Sequence, residues 1–184
     1  MAPADYSRRG AQRVHPEPGT VPREMAVDSF LKLDGIPGES ADAKHKGEIE
    51  VLAFSWGVSN QAEPGAGRGR AASKAHFEDL LVVARTSKAS PKLWLACASG
   101  QHVKSAVLVC RKAAAKAPLE FLKVTLSDVT ITSYEIDGSD EEAPLDQFAL
   151  AFARAELEYV AQDATGKPQP SVKAGWDVKK NAKV

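Results

Sequence analysis

From residue 26 onward, large apolar residues recur at every second position in run after run, the period of a half-buried β-strand. The longest clean run is 48–60, EIEVLAFSWGVSN. There Leu52, Phe54, Trp56 and Val58 fall on one face and Ala53, Ser55, Gly57 and Ser59 on the other. Similar runs predict strands over 26–33, 77–84, 105–112, 119–135, 146–161 and 171–180. In the last of these, Val172, Ala174, Trp176 and Val178 share a face. In 146–161 the face changes: Phe148, Leu150 and Phe152 point one way, Leu157 and Tyr159 the other. Such a change along one strand predicts a bulge or a bend round a barrel corner.

One segment departs from the two-residue rhythm. Residues 91–99, PKLWLACAS, predict a helix in which Leu93, Ala96 and Cys97 share a face. Ser90 suits the N-cap, Pro91 the first turn, where no N–H is needed, and Gly100 the left-handed residue that ends a helix. The Gly35-Ile36-Pro37-Gly38 turn ends the first strand, and 61–75 is a long polar, Gly-rich loop of the kind that is functional or mobile. About seven strands and one short helix predict a mainly β fold, a closed or nearly closed antiparallel barrel in which closure removes exposed strand edges. Residues 1–24 hold four of the eleven prolines, carry Arg8, Arg9 and Arg13, and lack apolar periodicity. They read as a disordered leader or extension ahead of a single domain, 25–184.

Composition narrows the function classes. The 184 residues are 43% hydrophobic and 26% charged, the profile of a soluble globular protein. Lys and Arg number 24, as do Asp and Glu. That balance argues against nucleic acid or an anionic membrane as the main partner and leaves self-association unopposed. No run approaches the ~20 apolar residues of a membrane span, and residues 1–24 contain no apolar core of a secretory signal. Cys97 and Cys110 are too few for a disulfide scaffold; both lie in apolar runs and read as buried thiols, with a disulfide between them left open.

No catalytic constellation emerges. His15, His45, His76 and His102 show no metal-ligand spacing and read as surface or loop residues. Gly65-Ala66-Gly67-Arg68-Gly69 lacks the Gly-Lys-Ser/Thr ending of a phosphate loop, and Arg68 and Arg70 are a slight footprint for nucleic acid. The acidic run from Asp137 to Glu142 lacks the spacing of a calcium loop and reads as a solvated connection. No serine sits in a nucleophile elbow. These residues call for no catalytic site, no metal and no cofactor. Trp56, Trp94 and Trp176 read as barrel core or helix packing rather than a binding platform.

The opening Met25-Ala26-Val27-Asp28-Ser29-Phe30-Leu31-Lys32-Leu33 is followed by Gly38-Glu39-Ser40 and by Ile49-Glu50-Val51-Leu52-Ala53-Phe54-Ser55-Trp56-Gly57. After the Gly-rich loop come Pro91-Lys92-Leu93-Trp94-Leu95-Ala96-Cys97-Ala98-Ser99-Gly100, then Arg111-Lys112-Ala113, then Ala174-Gly175-Trp176-Asp177-Val178. Together, in this order, these segments resemble the Hcp family of type VI secretion. The 24-residue leader and the acidic Asp140-Glu141-Glu142 depart from the pattern. The resemblance implies a barrel similar to phage tail-tube subunits, and a structural role rather than an enzyme's. Six copies would form a ring, and rings would stack into the tube of a contractile machine with sheath and spike proteins. The protein would be made in the bacterial cytoplasm, exported without a cleavable signal peptide, and carry small effector proteins in its lumen. A tail-tube protein of a phage or related device is the alternative; an enzyme or binding module on a small barrel is the remote third.

The resemblance also implies a role for Ser55, as the serine that faces the lumen and touches effectors. Its own strand is compatible, since it lies opposite Phe54 and Trp56; a small residue chosen for close packing is the equal alternative. Gly65, Gly67, Arg68, Gly69 and Arg70 become candidates for contact with a neighbouring ring, because their loop is long enough to reach one.

Overall fold

The structure, a computed structural model, describes residues 27–60, 74–114, 117–138 and 143–184. Strands β1 (Val27–Leu33) and β2 (Ile49–Ser55) are followed by the two-residue strands β3 (Val58–Ser59) and β4 (His76–Phe77). Next come β5 (Leu80–Arg85), helix α1 (Ser90–Ser99), β6 (His102–Lys112), β7 (Leu119–Asp137) and β8 (Leu145–Tyr159). The described chain ends with β9 (Val172–Asp177) and β10 (Ala182–Lys183). Six strands close into an antiparallel barrel in the order β8, β5, β2, β1, β6, β7 and back to β8. The predicted barrel and its single helix are therefore present.

Register explains the closure. Leu31, Ile49, Val82, Leu108, Leu126, Phe148 and Leu150 project into one buried core, and Leu93 and Ala96 of α1 join it. Burying a side chain of this size stabilises by roughly 1.5–3 kcal/mol. The N-terminal half of β8 pairs with β5 and its C-terminal half with β9, while β7 runs along its whole other edge. The long β7–β8 hairpin thus belongs both to the barrel and to a sheet that extends past it.

The predicted change of face in 146–161 has its counterpart across the ladder. In β7, Val124 and Leu126 are buried, then Val129 and Ile131, so the inward parity flips between them. Asp128 sits at the flip with φ of 56°, in the left-handed region that asparagine and aspartate tolerate better than most side chains. The pairing places it at the level where β8 passes from Phe152 to Arg154. A separate register shift lies between Ile131 and Ser133.

Four expectations need correction. The run 48–60 is not one strand: β2 stops at Ser55, and Gly57 passes so close to Glu78 that an added Cβ would stand 2.7 Å from its carboxylate. A register shift between Val51 and Ala53 also breaks the alternation, so Leu52 is 50% exposed rather than in line with a buried face. Ser90 is not the N-cap; Ala89 holds that position, and the Ser90 hydroxyl is spent on β8. Trp94 packs in no core: it is 59% exposed on the outer face of α1. The strand predicted over 171–180 ends at Asp177 and turns at Asn181 into β10. Gly100 does end the helix in the left-handed conformation, with φ of 64°.

Candidate functional site

Four strands form a wall on one side of the barrel, in the order β2, β5, β8 and the C-terminal part of β7. Cross-strand partners in an antiparallel sheet project to the same face. Phe54, Val82, Phe148 and Tyr134 are one such row, and with Val82 and Phe148 buried it faces the core. The outward face follows by alternation. Its first row is Ser55, Leu81, Ala149, Ser133, and its second is Ala53, Val83, Gln147, Glu135. Ser55 is exposed and lies on the opposite face of its strand from Phe54, which continues the core row by register but is itself 37% exposed. A trough of about 460 Å³ crosses all four strands over these rows.

Both edges of the wall lack a strand neighbour among the described residues. On β2, pairing with β1 stops at Val51, which leaves Leu52–Ser55 unpaired on that side. On β7, pairing with β6 stops at Thr130, which leaves the stretch to Asp137 paired with β8 alone, while α1 packs against β7. Leu52 and Ile136, one near each edge, are half exposed. Strand edges of this kind are templates for pairing with another chain.

Behind the wall, Asp146 is 1% exposed. Its carboxylate accepts from the Ser90 hydroxyl at 2.5 Å and from the Tyr134 phenol at 2.9 Å. The Thr86 hydroxyl is 3.3 Å away but lies nearer the Pro144 carbonyl, at 2.8 Å. Ser90 Oγ also accepts the Ser87 N–H. The start of α1 is thereby tied to β7 and β8. Burial and the neighbouring carboxylate push the Tyr134 phenol up to about 12, so it remains a donor.

The opposite side of the barrel is covered by the chain itself. Residues of the β1–β2 connection fold over β1, where the His45 ring stacks on Phe30 with centroids 4.3 Å apart. Both residues are 5% exposed, so His45 is a loop residue, as one of its two readings had it, but a buried one rather than a surface one. Its Nδ1 lies 2.9 Å from Glu48 and its Nε2 3.7 Å from Glu120. Arg111 stands 5.0 Å from the Phe30 ring centre and pairs with Asp42 at 2.7 Å and Asp28 at 2.9 Å. The Lys44 N–H, followed by Arg111, holds the Asp42 carboxyl below its usual range.

The remaining sequence candidates divide. Gly65, Gly67, Arg68, Gly69 and Arg70, the leader 1–24 and the run Asp140-Glu141-Glu142 all lie outside the described residues. Cys97 and Cys110 are free thiols; Cys110 is buried and its pKa raised by that burial, while Cys97 is half-buried. Among the described residues no three His, Cys, Asp or Glu side chains converge as metal ligands, and no helix is long and apolar enough to cross a membrane. Sequence reading overlooked Leu81, Glu135 and Asp146. Leu80 and Leu81 are chemically identical neighbours, and only the register tells which one faces out.

Comparison with known proteins places this geometry in company. A family profile described as type VI secretion system effector, Hcp, matches residues 30–159. Protein hcp1 of Pseudomonas aeruginosa is 38% identical over 159 residues, covering 85% of this chain and 98% of that protein. The crystal structure of Hcp1 from Salmonella typhimurium is similar with a TM-score of 0.72 at 40% identity, covering 87% of this chain and all of the other. A type VI secretion system effector from Yersinia pestis gives 0.68 at 36% identity, covering 82% of this chain and 100% of that one.

Proposed function

The chain belongs to the Hcp family of type VI secretion tube proteins, and from that premise we propose that its copies close head to tail into six-membered rings. The rings stack into a tube, accompanied by sheath and spike proteins, and the tube is exported with small effector proteins in its lumen. The observation that carries the reading is the wall with two bare edges. Neighbouring strands in the order β2, β5, β8, β7 are all antiparallel, so β7 runs opposite to β2. A β2 from a second copy laid along β7 continues the same alternation. The contact is heterologous, one edge meeting a different edge, and such contacts close into rings when the rotation per copy allows. The outward face, with Ser55, then lines the lumen, and Ser55 touches effectors there.

The test is light scattering on a size-exclusion column with negative-stain images of the peak. Rings of six-fold chain mass are expected. Ile136→Lys and Leu52→Lys each place a charge beside a bare edge and should yield folded monomers, because edge lysines block strand pairing. Wild-type monomers, or variants that still form rings, would count against the edges as the joint. Ser55→Gln should leave rings intact and abolish effector export; loss of the rings instead would make Ser55 a packing residue.

A further inference from the structure

We propose that the trough across the wall is the cargo contact and that it selects a segment carrying an apolar side chain flanked by cations. The inference rests on the lumen reading above and names the chemistry of that same surface. Leu81 is 52% exposed at the middle of the first outward row, between Ser55 on β2 and Ala149 on β8. An apolar side chain in a concave, strand-built floor is an anchor point for another apolar group. Around it the neighbours are small or neutral: Ser55 and Ser133 in its own row, Gln147 in the next.

Among the described residues, Glu135 is the one charge lining the trough, and it makes no ion pair with any of them. It pairs directly with Gln147, so its carboxylate has a neutral side chain beside it. One row further out, Asp137 on β7 and Arg85 on β5 are separated by Leu145. Negative charge therefore gathers along the β7 side of the trough, next to the apolar floor. A cargo segment with a leucine-like side chain and adjacent lysine or arginine complements both features, whereas an acidic segment meets Glu135 and Asp137 as like charges. In a ring the same trough repeats in every copy, so a multivalent cargo gains avidity without new contacts.

The probes are two fluorescein-labelled peptides of one length, one alternating Lys and Leu, the other Glu and Leu. Binding to the purified full chain is read by fluorescence anisotropy at low salt, with ring state measured by light scattering on the same samples. The Lys-Leu peptide should bind about fivefold tighter than the Glu-Leu peptide, the upper range for exposed ion pairs. Glu135→Gln should remove most of the preference, and Leu81→Ser should weaken both peptides by about tenfold, the share of a half-buried leucine. Rings should persist in both variants, since neither places a lysine on a bare edge, and circular dichroism checks their fold. Equal binding of the two peptides, or an unchanged preference in Glu135→Gln, overturns the inference. Rings lost in both folded variants would make the trough an interface between copies and overturn it too. A charge preference on protein that never forms rings would leave the trough standing and sink the ring reading instead.

Discussion

The two sides of the barrel solve the same problem differently. A small barrel must do something with the outward face of every strand. On the β1 side, the chain lays its own connection over the sheet, and the outward Phe30 is as buried as a core residue beneath His45 and Arg111. On the wall side no described segment does this, and Leu81 stands half exposed above two unpaired edges. The connection 34–48 roofs one face, and among the described residues nothing roofs the other. The contrast teaches how the two faces differ: one is completed within the protomer, while the other keeps strand edges and an apolar side chain open to solvent.

The comparison breaks first at the roof. Phe30→Ala should cost about 4 kcal/mol, since truncating a buried Phe removes both its transfer energy and its packing. Urea unfolding followed by circular dichroism measures this, and a loss under about 1 kcal/mol would mean that the roof contributes little to the fold. Behind the wall, Asp146→Ala should cost about 3 kcal/mol, because it leaves the Ser90 and Tyr134 hydroxyls without their charged acceptor. Tyr134→Phe removes one of those bonds and should cost about 1 kcal/mol. If the two variants cost the same, the Ser90 anchor of α1 contributes nothing.

Acid should find the roof through Asp42. Its folded pKa is lowered, by the Lys44 N–H first and by Arg111 next. A lowered carboxyl pKa stabilises the folded state above the unfolded value near about 4 and loses that stabilisation as pH falls through the folded value. The urea midpoint should therefore drop below about pH 4, and the drop should be shallower in Asp42→Asn. Asp128, lowered chiefly by its bond to Lys179, acts in the same window, so part of the slope should survive the Asp42 change. An identical slope in Asp42→Asn would remove Asp42 from the account.

Much of this was legible in the residues and some was not, for physical reasons. Period-two runs located β1, β5, β6, β7 and β8 because the core-facing side of each carries large apolar side chains at every second position. The parity change in 146–161 was readable because large side chains mark it. Its partner at Asp128 was not, since a single left-handed residue leaves no apolar signature. The break after Ser55 was hidden because Trp56 and Val58 continue the alternation in sequence while Gly57 and Glu78 end it in space. Ser90 looked like an N-cap because its local chemistry suits one. A carboxylate fifty-six residues away claims the hydroxyl instead. His45 looked like a loop residue, and it is one, but its loop is a roof. Exposure of the wall face lay beyond any pattern: nothing in Leu80-Leu81 says which leucine meets solvent until β8 fixes the register.

The smallest expected effect is the sharpest test of the contrast. Leu81→Ala should change protomer stability by less than about 0.5 kcal/mol, the usual range for a surface substitution. Measured on an Ile136→Lys background, where the rings are expected to be absent, the number reports the protomer alone. A leucine packed for the fold would cost several times more, as truncation of a well-packed leucine does. The same substitution should weaken cargo binding in the ring, where the uncovered half has something to meet. Stability unmoved and binding lost together locate the use of Leu81 outside the protomer. Stability lost in the monomer would instead return the wall to the barrel's own packing and erase the difference between its two sides.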